Sequence, residues 1–313
     1  MAKVKDYLSL IKFSHTVFAM PFAVIGFFLG LDVFLDLSGL FVYSPVLSGG
    51  DDKDFSIIFT WQFWVIKFIL VVLCMIFARS AAMAFNRYLD RHFDAKNPRT
   101  AIREIPTGII SDKNALVFTI LNSGLFIVCT FFINNICFYL SPVALFVILF
   151  YSYTKRFTAL CHLVLGLGLS LAPIGAYLAV TGMFDWLPVL FSFAVLFWVS
   201  GFDIIYALQD VEFDQANDLH SIPSILGKTN ALWVSVFLHF LSAVAVIFAG
   251  WYGGFGYSYW AGVAVFTGML FYQHSLVKPN DLRRVNLAFM TANGIASVVF
   301  AVFVLIDLFF NSA

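Results

Sequence analysis

Carboxylates recur at four-residue spacing in two short stretches, NRYLDRHFD at residues 86–94 and YALQDVEFDQAND at residues 206–218. Asn86, Asp90 and Asp94 form one ladder; Tyr206, Asp210, Asp214 and Asp218 form the other. On a helix this spacing stacks side chains on one face, about a turn apart. Both ladders close strongly apolar segments, so two like-charged clusters sit at a membrane surface and call for a cation between them. A hard divalent ion bridging carboxylates and phosphate oxygens answers that need, and Asn86 adds a neutral carbonyl ligand, a set that suits Mg²⁺ with a diphosphate. Just downstream, NPRT and REIP bring Arg99 and Arg103, planar donors that match phosphate oxygens. One ladder alone reads equally well as a solvated helix end; two together argue for chemistry.

Further charges lie deeper. Arg79 precedes Asn86 by seven residues and falls on roughly the same helical face. It reads as an anion receptor for a carboxylate or diphosphate, or as a structural partner for Asp203 or a helix end. Asp203 sits inside an apolar run and is expected to be functional, with Tyr206 a substrate contact beside it, or paired with an Arg. Lys155 and Arg156, in YSYTKRF, could reach a diphosphate or serve only as topological anchors. Glu212 falls off the second stripe and is expected to face water or headgroups, and Asp218, followed by His220 and Ser221, lies at the edge of a loop. His15, His92, His162, His239 and His274 show no ligand pattern. Cys74, Cys129, Cys137 and Cys161 have no metal spacing and read as packing residues. Some of the many aromatic residues should line a tunnel or shield a carbocation.

The elements that must position these groups are membrane helices. The chain is 61% hydrophobic and 12% charged, far below the charge content of a soluble domain. About nine runs are long enough to cross a bilayer, beginning near Phe13, Phe63, Ala115, Ile136, His162, Leu187, Leu232, Phe255 and Leu287. The expected fold is all-α, a polytopic helical bundle around a central cavity, with residues 1–313 forming one integral membrane domain. No A-x-A-like cleavage site follows the first run, so it is an anchor rather than a signal peptide. Residues 32–56 read as the longest loop on the side opposite the acidic ladders. Pro21, Pro142 and Pro173 should kink helices and help open the cavity. Basic residues crowd the N-terminus and the even-to-odd connections (Lys3, Lys5, Lys12, Arg87 to Lys113, Lys155, Arg156, Lys228, Lys278, Arg283 and Arg284), whereas the opposite connections hold only Lys53. The positive-inside rule therefore places the N-terminus and both ladders in the cytoplasm, with the protein in an inner or plasma membrane.

Asn-x-x-x-Asp-x-x-x-Asp at residues 86–94 and Asp-x-x-x-Asp at residues 210–214 resemble the UbiA superfamily of intramembrane prenyltransferases. Tyr151 and Lys155 in YSYTK, lying between them, look like the family's Tyr-x-x-x-Lys element. The resemblance spans the whole chain, and the pair of acidic motifs is more specific than either half. It implies Mg²⁺-dependent transfer of a polyprenyl group from its diphosphate to an aromatic acid, 4-hydroxybenzoate or a dihydroxynaphthoate, on the way to ubiquinone or menaquinone. Carried over, Asp90, Asp94, Asp210 and Asp214 are catalytic and, with Asn86, hold the metal and diphosphate; Lys155 touches the diphosphate and Arg79 meets the acceptor. Arg87 stands where many members have Asp, a departure that removes one expected carboxylate. The implied partners are the polyprenyl diphosphate, the aromatic acid and membrane lipid, with no nucleic acid. Rival readings are a prenyltransferase with a non-aromatic or porphyrin acceptor, a non-catalytic quinone- or lipid-binding scaffold, and a secondary transporter, although transporter sites lie near the midplane rather than at helix ends.

Overall fold

The computed structural model describes residues 3–11, 18–42 and 61–310. The expectations for Lys12, Phe13, His15 and Lys53 fall outside the described residues. Among those residues the chain forms helices and no strand: α1 (Val4–Leu10), α2 (Met20–Val42), α3 (Trp61–Lys96), α4 (Asp112–Ile133), α5 (Asn135–Thr154), α6 (Cys161–Thr181), α7 (Trp186–Ala207), α8 (Val211–Ala216), α9 (Ile222–Tyr252), α10 (Tyr257–Leu276) and α11 (Asn293–Phe310). Among the described residues, seven segments are long and apolar enough to cross a membrane, and Met20–Phe34 is a shorter apolar helix. The chain is an integral membrane protein.

Local signals set the helix ends. Ser111, Asn134, Asp185 and Ser221 each accept a hydrogen bond from a backbone N–H of the first turn of α4, α5, α7 and α9. Gly182, at φ 67°, stops α6 in the left-handed conformation that a residue with a Cβ resists. The N-terminus of α10 is capped from outside: Asp307 on α11 accepts from the backbone N–H groups of Gly256 (2.7 Å) and Tyr259 (3.1 Å). One expectation is overturned here. Residues 32–42, read as the start of a loop, continue α2 to Val42, because the apolar run resumes past Asp32 and Asp36, no proline intervenes, and the single Gly39 is carried through.

Helix α3 has 36 residues, about 54 Å of helix against a hydrocarbon core of about 30 Å. Its surplus lies at the C-terminal end, which carries Asn86, Asp90 and Asp94. Because consecutive long helices run antiparallel, that end gathers with the α5–α6 connection (residues 155–160) and the α7–α9 connection (residues 208–221). The backbone N–H of His220 donates to the Lys155 carbonyl at 2.7 Å, joining the last two.

Close backbone approach ties the bundle together. A Cβ on Gly26 of α2 would sit 2.0 Å from the Pro173 carbonyl oxygen of α6, so only glycine lets these helices touch there. Helices α2, α7, α9, α10 and α11 pack around a fully buried aromatic cluster that includes Phe22, Phe191, Trp198, Tyr259, Phe266 and Phe300. A polar network crosses this core. Trp198 Nε1 and Gln273 Nε2 both donate to Asn293 Oδ1 at 2.9 Å, while Asn293 Nδ2 donates to the Phe289 carbonyl. It adjoins a π-helical turn, Leu287–Ala292, that opens α11 and aims Phe289 at the cavity described next.

Candidate active site

A cavity of about 640 Å³ opens among the C-terminal ends of α3, α5 and α7. Of the candidates, Asn86, Asp90 and Asp94 from α3, Tyr206, Asp210 and Asp214 from the α7–α8 region, and Arg79, Arg99, Arg103, Lys155 and Asp203 line it, whereas Asp218 does not. From there it continues between α3, α4, α5 and α6 along apolar side chains such as Val71, Met75, Phe126, Ile133 and Leu171, reaching Ala179 and Phe184. From His162 to Ala179 along α6 that is about 25 Å, most of the hydrocarbon thickness.

The first ladder is one face of an unbroken helix, as its spacing requires, and Asn86 Nδ2 donates to Asp90 Oδ2 at 3.1 Å across one turn. The second ladder is not a continuous stripe. Helix α7 ends at Ala207, a 3₁₀ turn covers Leu208–Asp210, and α8 begins at Val211. Asp210 caps α8 with a non-helical backbone (φ -106°, ψ 6°), so Asp210 and Asp214 are not one regular turn apart and meet different partners. Asp218 drops off the ladder into a loop at φ 52°. Glu212 is exposed, as expected, and pairs with Lys228 at 2.7 Å.

The cation demanded by the clustered carboxylates is supplied in part by the chain. Arg156 Nη2 lies 2.8 Å from Asp90 Oδ1, and Arg103 Nη1 lies 2.6 Å from Asp94 Oδ1. Arg99 grips Asp210 with two donors, Nε at 3.0 Å and Nη2 at 2.5 Å, while its Nη1 donates to the Tyr206 hydroxyl at 3.1 Å. Lys155 Nζ sits 2.7 Å from Asp214 Oδ1, and the Ser221 hydroxyl donates to Asp214 Oδ2 at 3.0 Å. Burial works against the charges of Arg99 and Lys155, but the paired carboxylates Asp210 and Asp214 outweigh it and hold both pKa values above their ordinary ones. Arg87, the departure from the expected motif, is buried and faces Asp94 Oδ2 at 4.0 Å, beyond hydrogen-bonding distance. In all, Arg79, Arg87, Arg99, Arg103, Lys155 and Arg156 oppose Asp90, Asp94, Asp203, Asp210 and Asp214 around the cavity, six fixed positive charges to five carboxylates. The surface carries one more fixed cation than carboxylates, a balance suited to an anion.

Two oxygen-rich features suit a hard cation brought in with that anion. Asp94 Oδ2 is buried without a hydrogen-bond partner, and the Asn and Asp side chains lining this end offer only oxygen as metal ligands. No preformed group of three His, Cys, Asp or Glu stands ready as a metal cage among the described residues. An all-oxygen set of this kind fits Mg²⁺, which keeps waters and phosphate oxygens in its shell and needs no dedicated cage.

Deeper groups complete the site. Arg79 lines the cavity with Nε buried and unpartnered, and among the described residues it pairs with neither Asp203 nor another carboxylate. Asp203 instead meets His162 of α6, whose Nδ1 is 2.7 Å from Asp203 Oδ2. The sequence offered no sign of this pairing, because His162 looked like one of several scattered histidines. Beside Asp203, Phe18, Phe202, Tyr206 and Phe289 form a cavity-facing aromatic wall, with ring centroids of Tyr206 and Phe289 4.3 Å apart and of Phe202 and Phe289 5.4 Å apart. At the far end, Cys74 and Cys137 line the apolar channel as free thiols.

Comparison with known proteins gives a consistent picture. Residues 42–296 match the model of the UbiA prenyltransferase family. A 4-hydroxybenzoate octaprenyltransferase from Tolumonas auensis is 31% identical over 71% of this chain and 78% of its own length. Another from Nitrosospira multiformis is 31% identical over 76% and 81%. Among solved structures, an apo UbiA homologue from Aeropyrum pernix K1 superposes with a TM-score of 0.73 at 24% identity, covering 96% of this chain and 98% of that one. A UbiA homologue from Archaeoglobus fulgidus bound to DMAPP and Mg²⁺ gives 0.67 at 19% identity, covering 97% and 99%. At these identities the structural matches establish the shared fold.

Proposed function

Because this chain belongs to the UbiA prenyltransferase family, we propose that it transfers a polyprenyl group from an allylic polyprenyl diphosphate to an aromatic acid, 4-hydroxybenzoate or a dihydroxynaphthoate, to make a precursor of ubiquinone or menaquinone. One observation carries the reading: a single cavity is cation-rich at one end and apolar for the remaining thickness of the membrane. That is the shape and polarity of a diphosphate joined to a long hydrocarbon.

The charged end acts on the leaving group. Arg87, Arg99, Arg103, Lys155 and Arg156 neutralise charge that grows on the diphosphate as the allylic C–O bond breaks. Asn86, Asp90, Asp94, Asp210 and Asp214 would hold Mg²⁺, which when bound adds Lewis-acid stabilisation of the same oxygens. The aromatic wall of Phe18, Phe202, Tyr206 and Phe289 presents π faces to the allylic cation. Arg79, with its unpartnered Nε, receives the acceptor's carboxylate. The lipid-buried channel excludes water that would otherwise capture the cation as an alcohol. The basic connections support a topology with the N-terminus and the cavity mouth on the cytoplasmic side.

The test is prenyl transfer by purified protein in detergent, with a polyprenyl diphosphate and either 4-hydroxybenzoate or 1,4-dihydroxynaphthoates, with and without Mg²⁺. Metal-dependent product from one acid is the expected result and names the pathway. Diphosphate binding without product points to a different acceptor, such as a porphyrin. Absence of both binding and turnover favours a transporter. Protease access to an N-terminal tag in inverted vesicles, but not in right-side-out ones, checks the orientation.

A further inference from the structure

Asp203 differs from every other carboxylate in the cavity. Asp90, Asp94, Asp210 and Asp214 each pair with an Arg or Lys, whereas the ion partner of Asp203 among the described residues is His162. The charge of that imidazole follows from its second nitrogen. The backbone N–H of Ile222 donates to His162 Nε2 at 3.3 Å, so Nε2 presents a lone pair and the ring proton sits on Nδ1, aimed at Asp203 Oδ2. A neutral donor orients a carboxylate without neutralising it. A fixed cation beside a carboxylate holds it in the ionised form and makes it a poor proton acceptor. Asp203 therefore stands in the cavity without the fixed Arg or Lys counter-ion that each motif carboxylate has among the described residues.

Its place in the cavity matches that property. Asp203 lies seven residues before Asp210, about two turns or 10 Å deeper along the same chain segment. Its side chain is 19% exposed and lines the cavity beside Phe202 and Tyr206 of the aromatic wall. With Oδ2 held by His162, Oδ1 remains to face an occupant. Tyr151 of α5 lines the same wall, within electrostatic reach of both Asp203 and Asp90. His162 is itself locked: it is buried, its Nε2 is used by the first turn of α9, and its carbonyl accepts from the Ser200 hydroxyl at 3.1 Å.

Resting on the prenyl-transfer reading above, we propose that Asp203 is the base that removes the acceptor's ring proton, and that His162 is the residue that positions it. As the C–O bond of the allylic diphosphate breaks, its electron pair leaves with the diphosphate. A π pair of the aromatic ring forms the new C–C bond, which leaves a cationic ring with an sp³ carbon. The C–H pair at that carbon returns to the ring, and the proton passes to Asp203 Oδ1 and then to water at the cavity mouth. The electrons and the proton are accounted for without another reactant.

The experiment uses the full-length protein in detergent with geranyl diphosphate, Mg²⁺ and 4-hydroxybenzoate or 1,4-dihydroxy-2-naphthoate, each with hydrogen or deuterium at the alkylated ring position. In the wild type, proton loss is fast and deuterium leaves kcat unchanged. Asp203→Asn, nearly isosteric and still able to accept from His162, should lower kcat by about 10²–10⁴-fold with little change in the KM for the diphosphate. Its residual rate should fall further with the deuterated acid, because proton loss has become limiting. His162→Ala should show a smaller loss and the same isotope sensitivity, while His162→Gln, which retains an N–H donor, should recover most of the rate. Asp203→Asn turnover within about threefold of wild type, or a loss with no isotope effect in both variants, overturns the assignment while leaving the transferase intact. Wild-type protein inert toward both acids would remove the transferase reading itself, and this proposal with it.

Discussion

The two acidic motifs share their spacing and differ in their backbone. Asn86, Asp90 and Asp94 ride the surplus end of an unbroken 36-residue helix, so their ladder is the one the period of a helix dictates. Asp210 ends a 3₁₀ turn, Asp214 lies in the new short helix that follows it, and Asp218 has left the series altogether. Yet the cations that serve them are shared crosswise. The adjacent pair after α5 is divided, Lys155 going to Asp214 and Arg156 to Asp90. The connection after α3 is divided in the same way, Arg103 going to Asp94 and Arg99 crossing to Asp210. Four-residue spacing thus marks the chemistry of both motifs, but the match between them is made by loops that link one to the other. On the proposed function, an incoming diphosphate would compete with the carboxylates for these same cations, which would couple the two motifs to one ligand.

The strongest test removes one rung from each motif. Asp90→Ala and Asp210→Ala should each lower turnover by about 10²–10³-fold or more, with the protein still folded and inserted. Full activity in both would sink the assignment, and loss in only one would mean that the motifs do not act as a pair. The next test separates the two by burial. Asp214 is fully buried, so Lys155→Ala strands a carboxylate that water cannot reach, a change that costs about 3–5 kcal/mol in a fully enclosed pair and less here because Lys155 is itself 34% exposed. Asp90 is 28% exposed and rehydrates, so Arg156→Ala should lower the melting temperature in detergent by less. Because the pKa of Lys155 is raised in the folded protein, its contribution is complete below the ordinary lysine value and is lost only as pH rises through the higher folded one. The difference between the two variants should therefore stay constant between about pH 6 and 9. Equal melting shifts would show that burial does not distinguish the motifs.

Much of this arrangement is legible in the sequence. Apolar run lengths set a bundle of long helices, and the first ladder follows from period alone. What escaped depends on contacts between distant segments. His162 matters because α6 meets α7 at a residue 41 positions further on, which no local pattern records. The break at Leu208–Asp210 lies in LQD, a stretch without Gly or Pro to announce it. Arg87 looked like a lost carboxylate, whereas the fold buries it opposite Asp94. Residues 32–42 looked like a loop because they hold Asp, Ser and Gly, but the hydrophobic run was long enough to carry the helix through them.

A smaller effect distinguishes the deep anion site from both motifs. Arg79 lies one helical face below the first ladder and pairs with no carboxylate, so Arg79→Ala should raise the KM for the aromatic acid by about tenfold, the loss of one charge-assisted hydrogen-bonding partner, and change the KM for the diphosphate little. The reverse pattern would move Arg79 to the diphosphate and extend the first motif downward.

The smallest effect compares the third rungs, Asp94 and Asp218, which the sequence makes equivalent and the structure does not. Asp94 is buried, held by Arg103, with its second oxygen unpartnered toward the cavity. Asp218 is exposed, lies off the cavity lining and takes a left-handed backbone at φ 52°. Asp94→Asn should cost most of the turnover. Asp218→Gly should leave turnover unchanged and shift stability by no more than about 1 kcal/mol, because glycine adopts that conformation freely and no buried partner is lost. If Asp218→Gly instead proved as damaging as Asp94→Asn, the second motif would be a continuous helical ladder in the working protein, and the contrast with the first would vanish.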